Sequence, residues 1–335
     1  MNTALLFPGQ GPQRPQMLHD LVNHPSVDET LSEASAALGF DVRTLDSVDA
    51  LQSTVSVQLA LLVAGVATAR ALQRSGLQTL AVAGLSVGAF SAAVAAEALS
   101  FPDAIQLVRS RAEQMERMYP TGYGLSAIVG LTEAQVTMLV TTVNNQEHPV
   151  FVSNINAPRQ IVIAGSIEGM KHVLERALLQ GARKAELLDV SVPSHCSLLQ
   201  PIADSLREQL RSISLRDPQT IYIANVNARA VRTAQGVATD LADNIAHGVR
   251  WHDATCVAQE LGAELFINLP PGHTLIDLAK ENLSDIQVRR ANACQFQDAP
   301  RTHQAVTGAL LVLTPSKDGC HSQLNCKGNP IIEMR

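Results

Sequence analysis

Short apolar runs alternate with helical patterns along the first 120 residues of the chain. The apolar run over 3–7 stops at Pro8, which predicts a short buried strand. Pro102 precedes a helical pattern, and because proline is favoured in the first turn of a helix, it predicts that a helix begins there. Strands that alternate with helices in this way indicate an α/β domain with a parallel sheet. The predicted strands are 3–7 and 80–83, and the predicted helices are 56–74, 87–98 and 102–118.

The stretch over 124–193 has a different order, β-α-β-β-α-β, which is that of the ferredoxin-like unit. We predict that it is a small domain inserted into a larger, discontinuous α/β domain formed by 1–123 and 194–313. The polar residues over 314–335 show no periodicity and predict a disordered tail. The insert has predicted strands at 125–130, 150–154, 160–164 and 184–192, and predicted helices at 132–143 and 166–180, the second closed by Gly181.

The composition narrows the possible partners. Of 335 residues, 46% are hydrophobic and 17% charged, which is enough for a large core. The net charge of −6 without any basic run argues against nucleic acid or an anionic membrane as the main partner. Aromatic residues make up only 3%, which gives no support to a base-stacking surface.

Two stretches without charged residues, 50–69 and 75–96, are long enough to cross a membrane. The first carries Gln58, and the second contains Gly84 and Gly88 around a turn signal in its middle. We therefore interpret the first as a buried helix and the second as a buried strand–turn–helix, with no membrane partner.

The N-terminus and the cysteines indicate a cytoplasmic protein. The residues before Pro8 contain neither a basic segment nor the long apolar stretch of a secretory signal. The five cysteines are an odd number, widely spread and without a C-x-x-C pair, so we expect reduced thiols rather than disulfides or a zinc site. No cluster has metal-ligand spacing, and neither glycine-rich phosphate motif is present.

The strongest chemical signal is the G-x-S-x-G motif at 84–88, which stands between a predicted strand and a predicted helix. This is the context of a nucleophile elbow, in which a sharp turn exposes Ser86 and points the amide of Val87 toward a reacting oxygen. A Gly/Ser turn in an Ala-rich packing region gives the same pattern, so the motif alone leaves both interpretations open.

Three other features indicate a catalytic site only if Ser86 is a nucleophile. His195 follows a predicted strand and could be its base, although a histidine in such a place also serves structural roles. Arg111 could clamp a carboxylate, or it could be a surface residue paired with Glu113 or Asp103. The turn around Gln10 could supply an amide to an oxyanion hole, or be a simple tight turn.

Together these segments resemble the malonyl-CoA:acyl carrier protein transacylase family over roughly residues 3–312. The resemblance implies an α/β-hydrolase-like large domain with a parallel sheet and an inserted ferredoxin-like small domain. The matching segments are 7–13 (Phe-Pro-Gly-Gln-Gly-Pro-Gln), 84–88, 111–115 (Arg-Ala-Glu-Gln-Met), 190–196 (Val-Ser-Val-Pro-Ser-His-Cys), Asn154 with 160–165, and 249–251 (Val-Arg-Trp).

The resemblance also implies a role for each matching residue. Ser86 matches the nucleophile, His195 the catalytic base and Arg111 the residue that binds the free carboxylate of the substrate. The backbone amides of Gln10 and Val87 match the oxyanion hole. Asn244 falls where the family places a main-chain carbonyl that orients the histidine. Malonyl-CoA is then the substrate, the phosphopantetheine-type thiol of an acyl carrier protein is the acceptor, and no cofactor or metal is bound.

Three departures from the family pattern point to a subfamily. Leu85 and Val87 flank the nucleophile where His and Leu are usual, and Ala89-Phe90 follow Gly88 where the family has Glu after the glycine. Pro12 replaces a usual Ser. The segment 268–272 reads Asn-Leu-Pro-Pro-Gly in place of Glu-x-Gly-Pro-Gly. The Gly-x-Ser-Val-Gly-Ala-Phe form and the Pro-Pro-Gly form resemble the epsilon (transacylase) subunit of biotin-independent malonate decarboxylase, which moves malonyl onto the phosphoribosyl-dephospho-CoA thiol of the decarboxylase carrier protein.

Three alternatives remain at this point. The chain could be the malonyl transacylase of fatty acid or polyketide synthesis. A serine esterase or thioesterase also uses G-x-S-x-G with a histidine, but it explains neither Arg111 nor the insert. A non-catalytic subunit that only docks a carrier protein would have no need for Ser86, His195 and Arg111 together.

Overall fold

A computed structural model describes residues 2–119, 121–284 and 286–291 of the chain, so the predicted tail over 314–335 lies outside the described residues. The strands are β1 (Thr3–Phe7), β2 (Thr79–Gly84), β3 (Tyr123–Val129), β4 (Val150–Ala157), β5 (Gln160–Ser166), β6 (Lys184–Leu187), β7 (Ile221–Ile223), β8 (Ala230–Val231), β9 (Leu265–Asn268) and β10 (Gln287–Arg290). The helices are α1 (Pro25–Leu38), α2 (Thr54–Arg74), α3 (Gly88–Ala95), α4 (Phe101–Met118), α5 (Glu133–Val143), α6 (Ile167–Leu179), α7 (Gln200–Arg211), α8 (Ala234–Asp243), α9 (Trp251–Glu260) and α10 (Thr274–Asn282).

The larger sheet is parallel except at one edge and brings three strand ends together. Its order is β10-β9-β1-β2-β7-β8, and only the last pair, β7 with β8, is antiparallel among the described strands. Phe7 lies beside Gly84, and Leu6 lies beside Asn268. Because parallel strands end at the same edge, the loops after β1, β2 and β9 meet there. The prediction of a parallel α/β sheet is confirmed.

Helix α2 is the centre of the helical layer against this sheet. Ser53 caps its first turn, and most of its residues are buried against β1, α1, α3 and α4. By length and hydropathy it could cross a membrane, but 83% of its most apolar window is buried inside the structure. A core helix of this kind passes the same composition test, and the predicted buried helix is observed over Thr54–Arg74.

The second sheet is fully antiparallel and is formed by the strands of the predicted insert. Its order is β4-β5-β3-β6, which is the strand order of a ferredoxin-like unit, with α5 and α6 packed on one face around a core of its own. Thr132 and Gln135 form a capping box that starts α5, and Gly181 takes a φ of +89° just after α6 ends. The predicted fold class, a large α/β unit accompanied by a smaller β-α-β-β-α-β unit, is therefore confirmed.

The predicted strand over 184–192 is too long. Strand β6 ends at Leu187, where its pairing with Ser126 of β3 ends, and Val190 then donates its N–H to Leu188 O in a tight turn. The chain leaves the small sheet at this point and crosses back toward the larger one. His195 therefore does not follow directly from the end of this strand, as predicted, but from the irregular segment over 188–194.

Backbone and side-chain contacts join the two units next to that segment. Val249 pairs with β4 through hydrogen bonds to Ser153 O and from the N–H of Ile155, both 2.8 Å long. The hydroxyl of Ser153 lies 3.0 Å from Ser194 O. Strand β4 is thus attached to the segment that carries His195.

We expect Gly84→Ala to cost about 3 kcal/mol or more of folding free energy, because the added Cβ would lie 2.1 Å from the backbone of Gly88. Chemical denaturation of the purified variants measures this. The matched control is Gly76→Ala, where φ is +90° but nothing lies within 4 Å of the added Cβ, and strain alone should cost about 1 kcal/mol. Equal losses in the two variants would contradict the proposed close packing.

Candidate active site

The turn after β2 holds Ser86 in a conformation that few residues other than glycine adopt. Ser86 has a φ of +57°, and α3 begins two residues later at Gly88. The N–H of Leu85 donates to Phe7 O at 2.9 Å, which ties the turn to the end of β1. A left-handed φ at a serine is costly and persists only where neighbouring groups enforce it. The strand–turn–helix predicted from the G-x-S-x-G motif is observed.

Close backbone contacts explain why glycine stands in and beside this turn. A Cβ on Gly88 would lie 2.3 Å from Phe7 O. A Cβ on Gly9 would lie 2.7 Å from Leu85 O and 3.3 Å from the Cβ of Ser86. The turn after β1 therefore packs directly on the turn that carries the serine.

His195 faces the serine in the orientation that a general base requires. Its Nε2 lies 2.8 Å from Ser86 Oγ, and its Nδ1 is hydrogen-bonded to Asn244 O. Because a carbonyl can only accept, Nδ1 carries the proton and the lone pair of Nε2 faces the hydroxyl. The residue has a φ of +63°, and its N–H is fixed by Ile245 O at 2.8 Å.

Arg111 is a buried cation beside the serine. It comes from α4, is 1% exposed, and its Nη2 lies 3.2 Å from Ser86 Oγ. Its Nη1 donates to Gln58 Oε1 at 2.5 Å and lies 3.2 Å from Met115 Sδ, while its Nε has no partner. Within residues 2–119, 121–284 and 286–291, no carboxylate contacts the guanidinium.

The surface interpretation of Arg111 is wrong. Glu113, the suggested partner, instead accepts from Arg109 at 2.9 Å on the solvent side of α4. Asp103 interacts with Ser100 in the first turn of the same helix. The guanidinium of Arg111 is thus left with neutral partners only.

Burial determines the ionisation of both groups. Burial of the imidazole, reinforced by the positive charge of Arg111, lowers the pKa of His195 to about 3, and the hydrogen bond to Asn244 O opposes this shift. Burial also lowers the pKa of Arg111 to about 9, which leaves the guanidinium charged at neutral pH. At neutral pH the site therefore combines a neutral base with a fixed cation.

Two backbone amides near the serine have no acceptor of their own. Among the described residues, neither the N–H of Gln10 nor that of Val87 donates a hydrogen bond within the protein. Val87 stands just before the first residue of α3, where the helix dipole favours negative charge. The two amides are free to bind a developing oxyanion.

The sequence did not single out the residue that holds Arg111. Gln58 is 1% exposed on α2, and its amide bridges Nη1 of Arg111 and the sulfur of Met115. The signal in the sequence was the polar side chain of Gln58 inside an otherwise apolar helix. It argued against a membrane span but did not indicate a contact with Arg111. The contact pins one edge of the guanidinium across two helices.

Cys196 directly follows the histidine but has no nucleophilic character. Its side chain is buried, its Sγ lies 3.2 Å from Pro193 O, and burial raises the pKa of the thiol to about 12. No group of three His, Cys, Asp or Glu side chains in the described part of the chain could hold a metal ion.

Pro12, one of the departures from the family pattern, lies against the last glycine of the segment 268–272. Gly272, in the loop after β9, has a φ of +78°, and a Cβ there would lie 2.5 Å from the Cβ of Pro12. Pro12 follows Gln10 by two residues in the loop after β1. The loop after β9 therefore braces the loop that carries one of the free amides.

Comparison with known proteins agrees with this geometry. Residues 4–314 match the acyl transferase domain, nearly the whole chain. The chain belongs to the acyl transferase family. It is 35% identical over 295 residues to the malonyl CoA-acyl carrier protein transacylase of Salmonella typhimurium, which covers 86% of this chain and 95% of the relative.

Solved members of the acyl transferase family have the same fold. An acyl carrier protein S-malonyltransferase from Vibrio cholerae superposes with a TM-score of 0.83 at 34% identity, covering 87% of this chain and 97% of that one. A malonyl-transacylase solved in complex with its holo type II polyketide synthase acyl-carrier protein also gives a TM-score of 0.83 at 34% identity, covering 87% and 96%.

We expect the reactivity of Ser86 to stay nearly constant from pH 7.5 down to about pH 5, where an ordinary histidine is largely protonated. The physical reason is the pKa of His195, lowered to about 3. The measurement is the rate at which a fluorophosphonate labels Ser86 across this pH range, with circular dichroism as a control for unfolding. In Arg111→Met the acid limb should move upward, because one cause of the low pKa is removed. A wild-type half-maximum near pH 6.5 would contradict the assignment.

Proposed function

We propose that this acyl transferase is an S-malonyltransferase that moves a malonyl group from malonyl-CoA to the thiol of an acyl carrier protein through a malonyl-serine intermediate. The observation that carries the proposal is the buried guanidinium of Arg111, 3.2 Å from Ser86 Oγ and without a carboxylate partner in the part of the chain that the structure describes. A buried cation in contact with a nucleophile selects an acyl group that ends in a free carboxylate. The names of the relatives, malonyl CoA-acyl carrier protein transacylases, support the same reaction.

In the first half-reaction, Ser86 Oγ attacks the thioester carbon and His195 Nε2 takes the hydroxyl proton. The carbonyl oxygen becomes an oxyanion, which the amides of Gln10 and Val87 stabilise. The C–S bond then breaks, and the imidazolium returns its proton to the departing CoA sulfur. Arg111 holds the distal carboxylate throughout and thereby keeps the thioester carbon in line with the hydroxyl.

In the second half-reaction, the carrier thiol takes the place of water. His195 accepts its proton, the thiolate attacks the malonyl-serine ester, and the C–O bond breaks as the proton passes to Ser86 Oγ. The hydrogen bond from His195 to Asn244 O keeps Nε2 basic for both steps, so no third acidic residue is needed for the tautomer. No cofactor takes part in either step.

We further propose that the acceptor is the carrier protein of a malonate decarboxylase, and that the reaction takes place in the cytoplasm. The support for the decarboxylase carrier is the form of two segments, Gly-x-Ser-Val-Gly-Ala-Phe around the nucleophile and Pro-Pro-Gly at 270–272. The loop that carries the second segment packs against the loop of Gln10, since a Cβ on Gly272 would lie 2.5 Å from the Cβ of Pro12. The competing acceptor is the carrier protein of fatty acid or polyketide synthesis.

Mixing the protein with malonyl-CoA should add one malonyl mass to the peptide that contains Ser86. Intact-protein and peptide mass spectrometry measure this, and Ser86→Ala is the control that should gain no mass. Absence of the adduct on the wild-type protein would contradict the mechanism. Steady release of free malonate without a thiol acceptor would instead identify a hydrolase.

Arg111→Ala should lower the rate of malonyl transfer by about 30-fold or more, since loss of a buried charge partner costs about 2 kcal/mol or more. Acetyl transfer should be unchanged or faster, because the unpaired buried cation is gone. The measurement compares single-turnover acylation rates with malonyl-CoA and acetyl-CoA. The matched control is Arg109→Ala on the exposed face of the same helix, which should leave both rates unchanged. Equal loss of both substrates in Arg111→Ala would contradict carboxylate recognition.

The choice of carrier is tested by competition. Malonyl-enzyme is mixed with equal amounts of a decarboxylase carrier bearing the phosphoribosyl-dephospho-CoA thiol and a fatty-acid carrier bearing phosphopantetheine. We expect the decarboxylase carrier to receive most of the malonyl label. Preference for the fatty-acid carrier would reject the decarboxylase assignment and leave the malonyl transfer itself intact.

A further inference from the structure

A buried polar network bonds to the backbone of the nucleophile turn. Asn225, in the loop after β7, is 3% exposed, and its Oδ1 accepts the backbone N–H of Ser86 at 3.0 Å. That N–H can only donate, so the amide oxygen of Asn225 must face it. The amino group of the same side chain then points to Asp240 Oδ2, at 3.4 Å. The amide orientation is thus fixed by chemistry on both of its sides.

Asp240 anchors this asparagine. It is a 4% exposed carboxylate on α8, and its Oδ1 accepts the backbone N–H groups of Asn225 and Val226 at 2.8 and 3.2 Å. Its Oδ2 accepts the hydroxyl of Tyr222 at 2.6 Å. Among the described residues no cation pairs with this carboxylate, so its charge is balanced by these donors alone.

We propose that Asn225, held by Asp240, is the positioning residue that keeps Ser86 in its reactive conformation. The proposal rests on the proposed function, in which Ser86 is the nucleophile. The left-handed φ of +57° at Ser86 persists only where a neighbouring contact enforces it. The side-chain amide of Asn225 supplies such a contact, because its Oδ1 accepts the backbone N–H of Ser86. Rotation of the Leu85–Ser86 peptide would break this bond and move Oγ away from His195 Nε2.

Asn225 and Tyr222 have different positions in the network. The bond from Asn225 leads directly to Ser86, whereas Tyr222 donates to Asp240 Oδ2, the oxygen that also faces the amino group of Asn225. Burial raises the pKa of Tyr222 well above its usual value, so its hydroxyl remains a donor. Tyr222 does not bond to Ser86 itself, so its removal loosens the network but leaves the bond between Asn225 and Ser86 in place.

The test compares Asn225→Ala with Tyr222→Phe in the full chain. Two rates are measured: acylation of Ser86 by malonyl-CoA, resolved into its maximal rate and KM, and labelling of Ser86 by a fluorophosphonate. Asn225→Ala should lower both the maximal acylation rate and the labelling rate by about 10- to 100-fold, with KM within about twofold of wild type. Tyr222→Phe should lower the melting temperature but reduce both rates clearly less than Asn225→Ala does, because the bond from Asn225 to Ser86 remains.

Asp240→Asn is a second test, needed in case Asn225→Ala does not fold. Asp240→Asn is nearly isosteric and removes the buried charge, but its single amide oxygen cannot accept from both sides as the carboxylate does. It should lower both rates about 10-fold without a matching loss of melting temperature. The proposal would be overturned if the rates of all three variants followed their melting temperatures alone. It would also be overturned if both rates of Asn225→Ala stayed within threefold of the wild-type rates.

The two proposals fail in different ways. A wild-type protein that reacts with the fluorophosphonate but not with malonyl-CoA would reject malonyl transfer and still leave the labelling rates to test the role of Asn225. Normal malonyl transfer with an unaffected Asn225→Ala variant would reject the positioning role alone.

Discussion

The site depends on the contact between two backbone turns at the carboxyl edge of the parallel sheet. The turn after β1 and the turn after β2 approach so closely that a Cβ on Gly88 would lie 2.3 Å from Phe7 O, and one on Gly9 would lie 2.7 Å from Leu85 O. This contact forces the chain to reverse within three residues and raises Ser86 above the sheet. It also leaves the amides of Gln10 and Val87, on the two turns, without acceptors among the residues that the structure describes. Nucleophile and oxyanion donors thus follow from one packing constraint.

The electrostatics of the site follow from a second constraint, the burial of a positive charge without a counterion. Arg111 is held by the neutral partners Gln58 and Met115, so its charge acts on the groups beside it. It stabilises the basic form of His195 by making a second positive charge costly. The same charge is available to a substrate carboxylate. One side chain therefore affects both the base and the choice of acyl group.

Much of the fold could be predicted because its elements are strongly patterned. Strand β1, helices α2 and α4, and the alternation of the small unit follow from apolar spacing, a first-turn proline and a capping box. The length of β6 could not be predicted, because residues 188–192 look extended but turn away from β3, which itself continues to Tyr123. Local sequence does not encode where one strand of a pair turns away from the other.

The site was predicted in part for a related reason. The serine turn has a strict local requirement for glycine, so the motif was visible in the sequence. His195, Arg111 and Gln10 gained meaning only from their resemblance to a family. Gln58 and Asn225 were missed, because each reaches the site from an element far away in the chain and has no spacing that relates it to Ser86. The available signals were weak: Gln58 is a polar residue on an apolar helix, and Asn225 is a polar residue just after a parallel strand.

The contact between Pro12 and Gly272 has a consequence for how such enzymes diverge and how they are engineered. The two residues are 260 positions apart in the chain, yet a Cβ on Gly272 would lie 2.5 Å from the Cβ of Pro12. Because every residue except glycine carries a Cβ, this contact demands glycine at 272 whichever other residue stands at 12. A loop after β9 taken from another protein must therefore bring a glycine to this position.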